Sequence, residues 1–319
     1  MSPGTAPAAL LAADSTAAVD GANADRAVDA ASPARCAMLQ GGARALPGSP
    51  FDAAAADYDH RFTDTPLGGC LRRAVWRRLD ARFGPGDRVL ELGCGTGEDA
   101  LHLAHRGVRV VATDAAPAMV ETARRKLAAA GGSEVRLLAI EDLGAEPASP
   151  PFDGAFANFG GLNCVADLAA VASALAARLR PGAPVLLCVM GPLAPWEWLW
   201  LLRRGQPREV FRRLRRGGVR WRGLTVRYPA IGTLRRAFAA DFRLLRVSAV
   251  GALLPTTSFA PWAARHPRLL AALDGLERRV ERLPPLPWLA DHYLAELVRT
   301  SRPDAAAAPG GGSSPASSR

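Results

Sequence analysis

Lysine is almost missing from this chain. Of its 40 Lys and Arg residues only Lys126 is a lysine, so the formal net charge of +10 is carried by arginine. An arginine surplus beside abundant Ala, Gly and Pro looks like codon bias in a GC-rich genome, which weakens the usual step from a basic chain to a nucleic-acid partner. Cysteine is sparse as well. Cys36, Cys70, Cys94, Cys164 and Cys188 are scattered, odd in number and form no C-x-x-C pair, so neither a zinc site nor a disulfide framework follows. No apolar run is long enough to span a bilayer. The N-terminus has no basic stretch leading into an apolar core, which speaks against a secretory signal and makes a cytoplasmic location the default expectation.

What the chain does have is Arg88-Val-Leu-Glu-Leu-Gly-Cys-Gly-Thr-Gly97. Val89, Leu90 and Leu92 form the short apolar run of a buried strand, and glycines at 93, 95 and 97 free the backbone to bend and to approach a ligand. A dinucleotide site usually spaces its glycines at first, third and sixth positions and seats a pyrophosphate on the following helix. Here they fall at first, third and fifth, and Glu91 stands just before them. That acid would repel a pyrophosphate but suits an ammonium. Some twenty residues on, a second apolar strand ends at Asp114, where a carboxylate can take both hydroxyls of a ribose. The pair predicts a nucleoside with a charged, phosphate-free tail.

Glu91-Leu-Gly-Cys-Gly-Thr-Gly97 with Thr113-Asp114 resembles the S-adenosylmethionine site of the class I methyltransferases. Phe51-Asp52 and Tyr58 through Phe62 look like the opening segment of the small-molecule branch, which includes the ubiquinone, menaquinone and biotin-pathway enzymes. Asp114 through Met119, Phe152 through Asn158, and Leu179-Arg-Pro-Gly182 match further landmarks. The resemblance is strong over roughly residues 50 to 190 and looser over 219 to 300. It implies an α/β fold: a Rossmann-like, mostly parallel sheet with helices on both faces and helical insertions. It also implies S-adenosyl-L-methionine as cofactor and no metal. On it, Tyr58, Glu91, Gly93, Gly95, Gly97, Asp114, Ala115, Met119, Glu141, Asp142 and Asn158 are the expected cofactor contacts. The acid that commonly receives the adenine amino group would fall at Ala139, a departure that shifts the role to Glu141 or Asp142.

Residues 1–48 and 303–319 are rich in Ala, Gly, Pro and Ser and predict disordered tails around a domain at 49–302. Within it, 192–218 and 251–287 are expected helical insertions on the acceptor side. The first holds Pro195-Trp-Glu-Trp-Leu-Trp-Leu-Leu202 and then a run of arginines. This pattern fits a lid over an apolar acceptor, a packed helix, or a helix lying on an anionic membrane. Leu71, Val75, Trp76 and Leu79 predict an amphipathic helix with Arg72, Arg73, Arg77 and Arg78 on its wet side. Asn163, Trp196 and Trp262 are the expected acceptor contacts.

The expected reaction is methyl transfer to a small, apolar or lipid-like molecule. Proximity can supply most of its acceleration, and a base is needed only if the acceptor loses a proton. His60, His266 and His292 offer themselves, but none is singled out. Two rival readings remain. An RNA methyltransferase would suit the charge, although no RNA-binding module is recognisable and nucleic acid is not an expected partner. A nonenzymatic, membrane-associated cofactor-binding protein would make the aromatic-basic segment its working part.

Overall fold

A computed structural model describes residues 49–148 and 150–301; the two expected tails lie outside the described residues. Helix α1 (Pro66–Asp80) begins behind Thr65, whose hydroxyl accepts the Gly68 N–H at 3.0 Å. Then β1 (Arg88–Leu92), α2 (Glu98–Ala104), β2 (Arg109–Asp114), α3 (Pro117–Leu127), β3 (Glu134–Leu137), β4 (Gly154–Ala157), α4 (Leu168–Ala176) and β5 (Pro184–Met190) alternate as the apolar runs predict. The insertion after β5 holds α5 (Pro195–Arg203) and the hairpin β6 (Val219–Trp221) and β7 (Leu224–Val226). After α6 (Ile231–Phe238) and β8 (Phe242–Val250), a second insertion carries α7 (Ala260–Arg265), α8 (Pro267–Val280) and α9 (Leu286–Leu289). Strand β9 (His292–Arg299) closes the fold.

The seven-stranded sheet has the order β3-β2-β1-β4-β5-β9-β8, and β9 alone runs against its neighbours. Its two faces bury separate cores. Val89 and Val110 join one with Leu71, Val75 and Leu103, while Leu90 and Val111 join the other with Leu175 and Phe238. Each such side chain taken from water contributes about 1.5–3 kcal/mol. Chain order reverses between β1 and β4, and this opens a crevice at the carboxyl ends of the parallel strands. Because β9 is antiparallel it starts where β5 ends, so Met190 pairs with His292 at that same edge.

The hairpin β6–β7 carries no local turn signal. Its turn puts Arg222 (φ 44°) and Gly223 (φ 89°) in the left-handed region, a two-residue geometry that normally advertises itself with Asn or Gly in first place. Arg72 is not on a wet face. It is 5 % exposed, because helical periodicity sorts residues by type, whereas this guanidinium has a buried carboxylate waiting for it.

Candidate cofactor and acceptor site

Strands β1 and β2 pair in parallel with Leu92 beside Thr113, so the glycine turn and Asp114 emerge together. The Asp114 carboxylate accepts the Gly95 N–H at 2.8 Å and the Ala116 N–H at 2.9 Å. Burial raises its pKa, against the pull of those two N–H groups. Gly93 and Gly95 have φ of 69° and 54°, and a Cβ on Gly95 would meet nothing within 4 Å. Both border a cavity with about 1170 Å³ of empty space, its open mouth included. On the β2–β3 side the wall is Asp114, Ala115, Met119, Ala139, Ile140 and Glu141. On the β5–β9 side it is Cys164, Met190, Leu224 and His292, with Phe51, Tyr58, Phe62, Asn158 and Phe159 between. Among the described residues no Arg or Lys lines it.

Behind this wall lies a polar hub. Asp99, 4 % exposed, accepts hydrogen bonds from Arg72 at 2.8 Å, from the Trp76 indole at 2.7 Å and from Asn158 Nδ2 at 3.0 Å. The Arg72 guanidinium stands 5.2 Å from the Phe62 ring and 5.3 Å from that of Phe159, so it links the segment before α1 to the turn after β4. Two buried acceptors, Glu91 Oε2 and Asn158 Oδ1, have no hydrogen-bond partner among the described residues. Burial, and then the charge of Asp99, push the Glu91 carboxyl well above the usual range. Orphaned acceptors of this kind are costly in a finished core and ordinary where a ligand brings the donors. With Asp114 and Glu141 on the wall and no basic side chain beside them, the residues fit a cationic, hydroxyl-rich ligand such as S-adenosylmethionine.

Of the expected cofactor contacts, Tyr58, Gly93, Gly95, Asp114, Ala115, Met119, Glu141 and Asn158 line the cavity. Glu91, Gly97 and Asp142 do not. Glu91 is 1 % exposed. A Cβ on Gly97 would come within 2.8 Å of the Ala123 Cβ, so this glycine lets α2 approach α3. The three expected acceptor contacts also lie elsewhere. Asn163 is fully buried; it donates to Met190 O at 3.0 Å and to Arg227 O at 2.6 Å, and accepts the Met190 N–H at 3.0 Å. It therefore fastens the end of β5. The Trp196 indole donates to Ala252 O at 3.2 Å and meets Phe259 edge-on, while Trp262 stacks on His266. The insertions thus pack on one another, because their aromatic surface finds an apolar partner there. Phe51, Phe159, Cys164, Met190, Leu224 and His292 line the cavity instead.

Sequence reasoning missed Asp99 and Arg72. An acid in the first turn of a helix reads as a partner for the helix dipole, which hid Asp99. No local signal marked Arg72. The opening segment, by contrast, is tied down by its own acids. Asp52 accepts the Ala118 N–H at 2.9 Å, and Asp59 accepts from Thr96 at 2.7 Å and pairs with Lys126 at 2.6 Å. The chain's single lysine serves this clamp, also pairing with Glu98 at 2.9 Å.

A family profile described as a methyltransferase domain matches residues 89–182. A demethylmenaquinone methyltransferase from Mycobacterium marinum is 33% identical over 144 residues, covering 44% of this chain and 57% of that protein. A protein-L-isoaspartate O-methyltransferase from Methylorubrum extorquens is 37% identical over 124 residues, covering 39% of this chain and 50% of that protein. The chain therefore spans between half and three-fifths of the length of these curated relatives. Among solved structures, a putative S-adenosylmethionine-dependent methyltransferase from Listeria monocytogenes has a TM-score of 0.47 at 16% identity, with 71% of this chain and 96% of that chain covered.

Proposed function

The chain carries a methyltransferase domain of the class I, S-adenosylmethionine-dependent family, and from that premise we propose that the protein methylates a small acceptor of substantial apolar area. The observation that carries this reading is the composition of the cavity wall. Its β2–β3 side offers Asp114 and Glu141, and its β5–β9 side offers Met190, Leu224, a neutral thiol and an imidazole. Burial, then Glu141, pushes the Cys164 thiol up to about 12.

S-adenosylmethionine, when bound, supplies a methyl group already activated on a sulfonium. Asp114 would hold the ribose hydroxyls, the Gly93–Gly95 turn and Asn158 the ammonium-bearing tail, and Met119, Ile140 and Glu141 the adenine. Tyr58 keeps its proton and can donate a hydrogen bond. Burial pushes its phenol up to about 12, with Arg72 opposing and Asp99 reinforcing, even though the side chain as a whole is only partly buried. Phe51, Tyr58 and Phe62, held by the Asp52, Asp59 and Lys126 contacts, exclude water from the site. An anionic RNA backbone finds no cation on this wall, which disfavours the RNA reading.

Calorimetry followed by transfer of a labelled methyl group into cell extract tests the reading. S-adenosylmethionine should bind, and label should enter the organic-soluble fraction. Label confined to RNA or protein would refute the acceptor class, and failure to bind the cofactor would refute the function itself.

A second reading, contact with an anionic membrane, is favoured by one surface. Leu202 and Phe211 are 54% and 62% exposed, and Arg203, Arg204, Arg208 and Arg216, near them in sequence, are exposed as well. Apolar groups among cations suit a lipid headgroup layer.

A further inference from the structure

The geometry points to His292 as the general base of this site, taking a proton from a weakly acidic hydroxyl on an otherwise apolar acceptor. The inference rests on the reading of the cavity as a methyl-transfer site and narrows it to an oxygen nucleophile of the phenol or enol class.

His292 is 2 % exposed overall, yet it is one of the residues that line the cavity. Its backbone pairs with Met190 at the carboxyl edge of β5, and its ring meets Phe159 edge-on at 5.5 Å and 77°. Those contacts set the position of the imidazole. One ring nitrogen is spoken for. Nδ1 stands 3.2 Å from Asp291 Oδ2. The distance is that of an ion pair, but neither atom meets hydrogen-bond geometry. The distance is the firmer guide, because a small rotation of the ring restores the angle without moving the backbone. With Nδ1–H directed at Asp291, Nε2 on the opposite edge of the ring carries the lone pair and is left for the cavity.

The groups around it suit this role. Asp291 is itself held by Arg213 at 2.7 Å, and Arg213 bonds Glu197 through its Nε at 2.8 Å. Burial alone would raise the Asp291 carboxyl, but Arg213 and then His292 hold it below the usual range, so it remains an anion able to balance an imidazolium. Two other titratable groups of the wall, Cys164 and Tyr58, are poor bases. Cys164 is a neutral thiol, and Tyr58 holds its proton. In the proposed step the acceptor O–H gives its proton to Nε2. The imidazole becomes an imidazolium paired with Asp291, the acceptor oxygen keeps the bonding electron pair, and the proton later leaves through the cavity mouth. An acceptor without an acidic proton would leave this imidazole idle. An acidic or cationic acceptor would find no compensating charge among Phe51, Phe159, Met190 and Leu224.

The test uses para-nitrophenol as probe and nitrogen-labelled histidine in the full chain. In the spectrum of the wild-type protein, assigned with His292→Gln, His292 should appear as the Nδ1–H tautomer, and para-nitrophenol should displace its Nε2 resonance. His292→Gln should bind S-adenosylhomocysteine as wild type does but lose about tenfold in affinity for para-nitrophenol, the worth of one well-made hydrogen bond. An Nε2–H tautomer, an Nε2 resonance unmoved by the probe, or no probe binding by the wild type would each overturn the assignment. The spectrum needs no variant to fold except for its assignment, and His292→Phe, which keeps a ring against Phe159, serves there equally. Failure of S-adenosylhomocysteine to bind, with the tautomer and probe shift intact, would instead count against the proposed function.

Discussion

Gly95 and Gly97 stand two residues apart in one turn and answer to different constraints. Both have positive φ, at 54° and 81°, so alanine at either position costs about 1–2 kcal/mol of backbone strain. Beyond that they part. A methyl on Gly95 projects into open space beside the cavity, and a methyl on Gly97 meets Ala123 at 2.8 Å. Gly95→Ala is therefore expected to fold and lose cofactor affinity, whereas Gly97→Ala should lower the melting temperature further; calorimetry and thermal unfolding read the two, and equal effects would show that the turn is merely structural. Asp114→Asn keeps one carbonyl oxygen for the backbone but loses the second acceptor. A cost of about 1–3 kcal/mol in S-adenosylmethionine binding is expected, and wild-type affinity would remove Asp114 from the ribose. Arg72 and Asp99 illustrate what residue identity alone conceals, since an arginine on a helix and an acid at a helix start are both ordinary surface choices until the chain folds them together.

At the scale of elements, charge ties α5 to the start of β9. Glu197, on α5, pairs with Arg212 at 2.9 Å and with Arg213, which also pairs with Asp291 just ahead of β9. All four are nearly inaccessible. Removing one member of such a group leaves buried charge uncompensated, so Glu197→Gln should cost about 3–5 kcal/mol, measured as a shift in denaturant midpoint; a loss under about 1 kcal/mol would mean the cluster is solvated. The pH dependence has a definite sign. Burial would raise the Glu197 carboxyl, but Arg213 and Arg212 hold it below its ordinary 4.5, and Asp291 likewise lies below its ordinary 3.8. Lowered carboxyls contribute stability that is present above those ordinary values and is lost as pH falls through the depressed ones. Stability should therefore drop on acidification below about pH 4 by less in Glu197→Gln than in the wild type, and parallel profiles would sink this account. The five parallel strands were legible, four as short apolar runs beside Gly, Pro or Asp and β3 as the alternation Glu134-Val-Arg-Leu137. The hairpin β6–β7 was not, since Arg222 occupies a turn position where Asn or Gly would have announced it.

For the whole molecule, part of the net charge of +10 falls on the exposed arginines of the first insertion. Leu202, Phe211 and Leu214 stand exposed among arginines on the first insertion. If that face meets membrane, the protein should float with vesicles containing phosphatidylglycerol, not with purely zwitterionic ones, and added salt should release it. Replacing Phe211 and Leu214 by Ser should abolish flotation and leave cofactor affinity unchanged; undiminished flotation would exclude this surface. Among the described residues no helix is long and apolar enough to cross a membrane. The sequence by itself determined the sheet's first five strands, the glycine turn with Asp114 at its side, and hence the class of cofactor, because strand periodicity and left-handed glycines are local properties. Tertiary structure alone decided the rest of the cavity wall. Trp196 and Trp262 found partners within the insertions, and an antiparallel last strand carried His292, nearly two hundred residues from the turn in sequence, to the sheet edge where Met190 ends. Pairing of that range depends on register and burial across the whole sheet, which no window of sequence contains.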